Sequence, residues 1–71
     1  MMWRTTIYQD EDGMSIAECP ALPGCVSQGR TRAEALESIA DAIRGYLESL
    51  AKAGDPIPPP ITEGLVEVAV P

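Results

Sequence analysis

Residues 19–39 read C-P-A-L-P-G-C-V-S-Q-G-R-T-R-A-E-A-L-E-S-I, from Cys19 to Ile39, and this run settles most of the fold. Pro20 and Pro23 punctuate a loop. Gly24 and Gly29 then bracket Cys25, Val26, Ser27 and Gln28, a length suited to one strand. Thr31 follows, with Glu34 three residues later. In that spacing the threonine hydroxyl takes a first-turn N–H while the glutamate reaches back to the threonine amide, which is a capping box. The run therefore reads loop, strand, turn, helix.

Downstream, the helix is predicted from Arg32 to about Ala53, with Gly54 as its C-terminal stop and Pro56 just beyond. Leu36, Ile39, Ile43, Leu47 and Leu50 recur at steps of three and four and form the expected buried stripe, widened by Ala35, Ala40 and Tyr46. Glu34, Glu37, Asp41 and Glu48, with Arg44 between them, form the opposite, solvated stripe. The segment D-P-I-P-P-P-I-T over 55–62 has four prolines, which favour an extended polyproline spacer over helix or central strand. A last strand is expected at 65–70, L-V-E-V-A-V, with Val66, Val68 and Val70 on one side and Leu65, Glu67 and Ala69 on the other.

Upstream, a first strand is expected over 2–9, rich in Trp3, Thr5, Thr6, Ile7 and Tyr8, and a second over 14–19, ended by Pro20. Asp10, Glu11, Asp12 and Gly13 join them, with Asp12-Gly13 as a hairpin turn. In the first strand Trp3, Thr5 and Ile7 oppose Arg4, Thr6 and Tyr8, so periodicity alone leaves the core side open. The expected fold is α+β, β-β-β-α-β. An antiparallel three-stranded meander is joined by a fourth strand parallel to strand one, in spatial order 3-2-1-4. One helix packs on the sheet, and a right-handed crossover sets the topology.

The chain of 71 residues has room for one domain, taken as 1–71. A domain of this size buries only about 60% of its unfolded surface, so self-association or a partner is expected. Eleven acids against five bases give a net charge of −6, which repels nucleic-acid backbones and favours a basic surface. No apolar run approaches the roughly 20 residues of a membrane span, and the first twelve residues lack the signature of a signal peptide, so a cytoplasmic location is expected. Cys19 and Cys25 then read as buried small hydrophobes or free thiols.

Histidine is absent, which removes histidine bases, triads and metal ligands. The acidic turn at 10–13 lacks the downstream oxygen ligands of a calcium loop. Gly24 to Gly29 lacks the Lys-Ser/Thr of a phosphate loop, since Arg30 and Thr31 follow. Arg30 and Arg32 lie near Cys25 in sequence and are placed to lower its pKa, yet no general base accompanies it. A magnesium nuclease would have to assemble Asp10, Glu34 and Glu67, and strand one, taken as the central strand, has no carboxylates. No cofactor, metal or enzymatic activity is expected.

The hairpin followed by C-P-A-L-P-G-C-V-S-Q-G-R-T-R-A-E-A-L, then I-A-D-A-I-R-G-Y-L-E-S-L and the Ile57-Pro58 exit, resembles the N-terminal domain of HicB-type antitoxins. The similarity spans residues 8–61, and the order and spacing of its P-x-L-P-G-C, S-Q-G-x-T and E-A-L blocks are fairly specific. The resemblance implies a partial ribonuclease H-like fold without catalysis. It also implies a type II toxin-antitoxin role, in which the chain neutralises HicA, an mRNA-cleaving toxin of double-stranded-RNA-binding-domain fold, by covering its active site. The charge agrees, because a protein that grips RNA is basic and attracts an acidic competitor. Longer members add a C-terminal operator-binding module, whereas this sequence ends at Pro71, so direct DNA binding is not expected of it. Chosen for charge and expected exposure, the candidate contact residues are Tyr8, Asp10, Glu11, Asp12 and Glu18 on the hairpin, and Glu34, Glu37, Asp41 and Glu48 on the helix. A homo-oligomer, dimer or tetramer, is expected, and an orphan oligomeric interaction module is the alternative.

Overall fold

A computed structural model of the chain describes residues 2–59, 61 and 64–71. Three strands, β1 (Thr6–Gln9), β2 (Ser15–Glu18) and β3 (Val26–Gly29), precede one helix, α1 (Arg32–Ala53). The strands form an antiparallel meander in the order β1-β2-β3, with Tyr8 opposite Ile16, and Ile16 opposite Gln28.

The helix begins and ends where its local chemistry dictates. Thr31 is extended, and its Oγ1 accepts a hydrogen bond from the Glu34 amide at 3.1 Å, which supplies one bond of the box. At the other end Gly54 takes φ 74°. Its amide donates to the Ala51 carbonyl while the Asp55 amide donates to that of Leu50, closing a Schellman motif.

The hairpin turn is longer than the two-residue Asp-Gly connection expected. The Asp10 amide donates to the Met14 carbonyl and the Gly13 amide to the Asp10 carbonyl. Glu11, Asp12 and Gly13 thus form a three-residue loop, with Gly13 at φ 81° in the left-handed position such loops require. Asp10 Oδ1 also accepts from the amides of Asp12 and Met14, both at 2.9 Å.

Burial identifies the core face. Ser15, Ala17 and Cys19 of the β2 segment are buried, and Trp3, Thr5 and Ile7 are half-buried on the same side. The helix covers that side through Ala35, Ile39 and Ile43. The loop between β2 and β3 contributes its own plug. The Cys19 amide bonds to the Cys25 carbonyl and the Leu22 amide to that of Cys19, and the turn drives Leu22 fully into the core. Gly29 is needed where β3 runs under the helix, because a Cβ there would lie 2.5 Å from the Ala35 nitrogen.

Two expectations are corrected. First, the apolar stripe is narrower than its periodicity suggested: Leu36, Tyr46, Leu47 and Leu50 are half-buried and Ala40 is exposed. A single layer of short strands covers only part of the helical face. Second, β1 starts at Thr6 rather than residue 2. Its register would set Arg4 opposite Pro20, which has no N–H to donate, so the ladder stops near that point. The described strands keep the expected order 3-2-1, while residues 64–71 lie outside the sheet, so the fourth strand is not among its members. Leu65, Val66, Val68 and Val70 are each at least 72% exposed, because an alternating segment becomes a strand only where an edge receives it. Of the expected proline spacer, Pro60 and Thr62 lie outside the described residues.

The radius of gyration is 14.5 Å, against about 11 Å for a compact chain of this length. The 22-residue helix, about 33 Å long, and the exposed residues 64–71 both lengthen the molecule.

Candidate partner-binding surface

Because the helix covers only one side of the sheet, the other side is open. Alternation puts Thr6, Tyr8, Ile16, Glu18, Val26 and Gln28 there, with Tyr8 and Val26 exposed and Ile16 and Glu18 half-buried. Tyr8 and Glu18 are diagonal neighbours across the β1–β2 ladder, a spacing that long side chains bridge. The Tyr8 hydroxyl donates to Glu18 Oε1 at 3.3 Å. Repulsion from the Glu18 carboxylate, ahead of desolvation and that hydrogen bond, raises the phenol above its ordinary value, and Asp10 adds to the effect. The phenol therefore stays a neutral donor, and the field around it is negative.

Asp10, Glu11 and Asp12 extend this surface at the hairpin tip and are exposed. Asp10 is partly committed, since one of its oxygens holds the turn. The helical acids stand elsewhere. Glu34, Glu37, Asp41 and Glu48 line the exposed face of α1, which the sheet separates from Tyr8 and Glu18. Asp41 is paired with Arg44 at 2.6 Å, an exposed i,i+3 ion pair. The nine candidates thus form two acidic surfaces rather than one.

Sequence reasoning overlooked Val26, Gln28 and Ile16 as members of the open face. Their alternation was visible, but only the burial of Ala17 and Cys19 tells which side is open. It also overlooked a groove of about 420 Å³ on the helix side, lined by Trp3, Thr5, Leu36, Ala40, Ile43 and Leu47 among others.

The remaining candidates offer little chemistry. Cys19 and Cys25 are free and buried. Burial, helped by the neighbouring Cys19, raises the Cys25 thiol, opposite to the lowering that Arg30 and Arg32 suggested, so it is a poor nucleophile. Asp10, Glu34 and Glu67 fall in the turn, the first helical turn and the exposed tail. Among the described residues no three His, Cys, Asp or Glu side chains group as metal ligands, and no helix is long and apolar enough to cross a membrane.

An acidic, non-covalent surface on a meander backed by one helix is what the molecule presents, and comparison with known proteins gives it a context. The sequence profile described as HicB_like antitoxin of bacterial toxin-antitoxin system matches residues 3–68. The chain belongs to the HicB-like antitoxin family. Its relatives include a UPF0150 protein of Thermoplasma acidophilum, 50% identical over 58 residues that cover 82% of this chain and 84% of the relative. A UPF0150 protein of Synechocystis is 49% identical over 55 residues, 76% of this chain and 70% of the relative. One from Helicobacter pylori is 46% identical over 50 residues, 70% and 68% of the two chains. No solved structure matches significantly. In this HicB-like chain the match takes in β1 through α1 and reaches residue 68 of the tail.

Proposed function

We propose that this HicB-like chain is the antitoxin of a type II toxin-antitoxin pair. It binds a HicA-type mRNA-cleaving toxin stoichiometrically and covers its active site. The chain acts in the cytoplasm as a homo-oligomer, without cofactor or enzymatic activity, and does not itself bind nucleic acid. Its sheet is completed by residues 65–70 beside β1, in a partial ribonuclease H-like arrangement.

The observation that carries the reading is the open sheet face, where the Tyr8–Glu18 pair adjoins the acidic tip Asp10, Glu11 and Asp12 in a chain of net charge −6. A ribonuclease must present cationic groups to hold RNA phosphates, and this face offers the complementary potential together with apolar area from Val26 and Ile16. The helical acids Glu34, Glu37, Asp41 and Glu48 form the second contact region, reached by a toxin that wraps the rim or by a second toxin molecule. The test is co-expression with the HicA-type toxin. Relief of growth arrest and co-purification support the proposal, whereas continued toxicity with no complex overturns it.

A second reading is an orphan oligomeric interaction module. The exposed apolar side chains of residues 65–70 and the open groove favour it, since both call for an apolar partner whether or not a toxin exists. A stable oligomer that ignores the toxin would select this reading.

A further inference from the structure

Among the described residues β1 pairs with β2 on one edge and with no other strand on the second, so a row of backbone N–H and C=O groups faces outward there. Beside that edge lies the groove, walled by Trp3 and Thr5 from the chain leading into β1 and by Leu36, Ala40 and Leu47 from the helix flank. An uncovered edge next to an apolar groove is a pairing template, and a monomer would expose both. The same chain carries the complementary object. Residues 65–70 alternate valine with other residues, stand clear of the body, and make no backbone hydrogen bond to the sheet among the described residues.

We infer that the tail of one copy, residues 65–70, adds as a strand to the β1 edge of a second copy. Val66, Val68 and Val70 fill the groove between Trp3 and the Leu36–Leu47 flank, and the exchange is reciprocal. This rests on the reading above that these residues complete the sheet beside β1, and it adds that the completing strand comes from another chain.

The dimensions agree. Six strand residues span about 20 Å. The eleven-residue separation from Leu36 to Leu47 is about 16 Å along the helix. The core-facing residues Trp3, Thr5 and Ile7 share the two-residue period of the three valines, so one register matches every pair. Glu67 then falls on the helix-free side, in solvent.

The connection favours exchange over folding back. Gly54 ends the helix, and Pro56, Pro58 and Pro59 follow, each with φ fixed and no N–H, so the chain leaves the body stiffly instead of reversing. A hinge that resists reversal leaves exchange of identical elements between protomers as the low-cost route by which this strand reaches an edge. Two chains of charge −6 repel, so apolar burial and backbone pairing must drive the association. A reciprocal two-fold exchange also closes on itself and leaves neither β1 edge open to further copies.

The experiment uses the purified full chain without toxin, so its outcome is independent of toxin binding. Sedimentation equilibrium gives the oligomeric state of the wild type and of the double substitution Val66→Lys/Val68→Lys. A mixture of differently isotope-labelled chains then reports, by filtered nuclear Overhauser effects, whether valine methyls of the tail approach the Trp3 indole of another molecule. The expected result is a wild-type dimer with intermolecular Val–Trp3 effects, and a dissociation constant raised about tenfold or more by the lysines, with the helical circular dichroism unchanged. Val–Trp3 effects confined within one molecule would overturn the exchange and leave the completed sheet standing. A wild-type monomer with no such effects would overturn both.

Discussion

The folded body, residues 3–54, and the tail, residues 64–71, both carry apolar side chains, and they behave in opposite ways. In the body Leu22 and Ile39 vanish from solvent, whereas in the tail Leu65, Val66, Val68 and Val70 lie open. The difference is where each finds its partner. Leu22 is turned inward by a loop whose hydrogen bonds run among Cys19, Leu22 and Cys25, and Ile39 is set by a helix whose caps lie within three residues of its ends. The tail has β-forming chemistry but no local device that brings an edge to it.

Predictions that break the body come first. Leu22→Ala removes a fully buried side chain from a small core and should cost about 2–5 kcal/mol, seen as a large drop in the urea midpoint. Gly29→Ala places a methyl 2.5 Å from the Ala35 nitrogen and should cost about 3 kcal/mol, with the first helical turn displaced, as amide chemical shifts around Ala35 will report. Thr31→Ala removes the N-cap acceptor and should cost about 1 kcal/mol, or about 4–8 °C in Tm.

The remaining two sharpen the comparison. The Cys25 thiol is raised by burial in the folded state, so the folded chain holds that proton more tightly than the unfolded chain. Its contribution to stability is intact below the ordinary thiol value of 9.0 and is lost as the pH rises through the raised folded value. Cys25→Ala should flatten the alkaline fall in Tm relative to wild type. Smallest of all, Asp41→Asn breaks only an exposed ion pair and should change stability by less than about 0.5 kcal/mol in thermal melts.

The same distinction explains what could be read from the amino acids. The helix bounds, Arg32 and Ala53, were legible because Thr31 and Gly54 act on their own neighbours. The meander was legible because Asp10–Gly13 and Pro20 mark its turns. The first half of strand one was not, because a ladder over residues 2–5 would call on an N–H that Pro20 lacks. The helical stripe was drawn too wide, since nothing in Ala40 or Leu47 says how much helix a three-stranded sheet can cover. At the candidate site the acids were legible as charges, but their division between two surfaces was not. Glu18 meets Tyr8 only through the β1–β2 register, and Glu34, Glu37, Asp41 and Glu48 lie on the far side of the molecule because the helix packs against Ala17 and Cys19.

The most direct test of the antitoxin account is to titrate purified chain into a HicA-type ribonuclease and follow cleavage of an mRNA substrate, with Glu18→Lys as the matched variant. The account predicts that cleavage falls to baseline at a fixed molar ratio, and that Glu18→Lys weakens inhibition most at low salt, where complementary charge acts furthest. Undiminished cleavage in the presence of excess wild-type chain would contradict it.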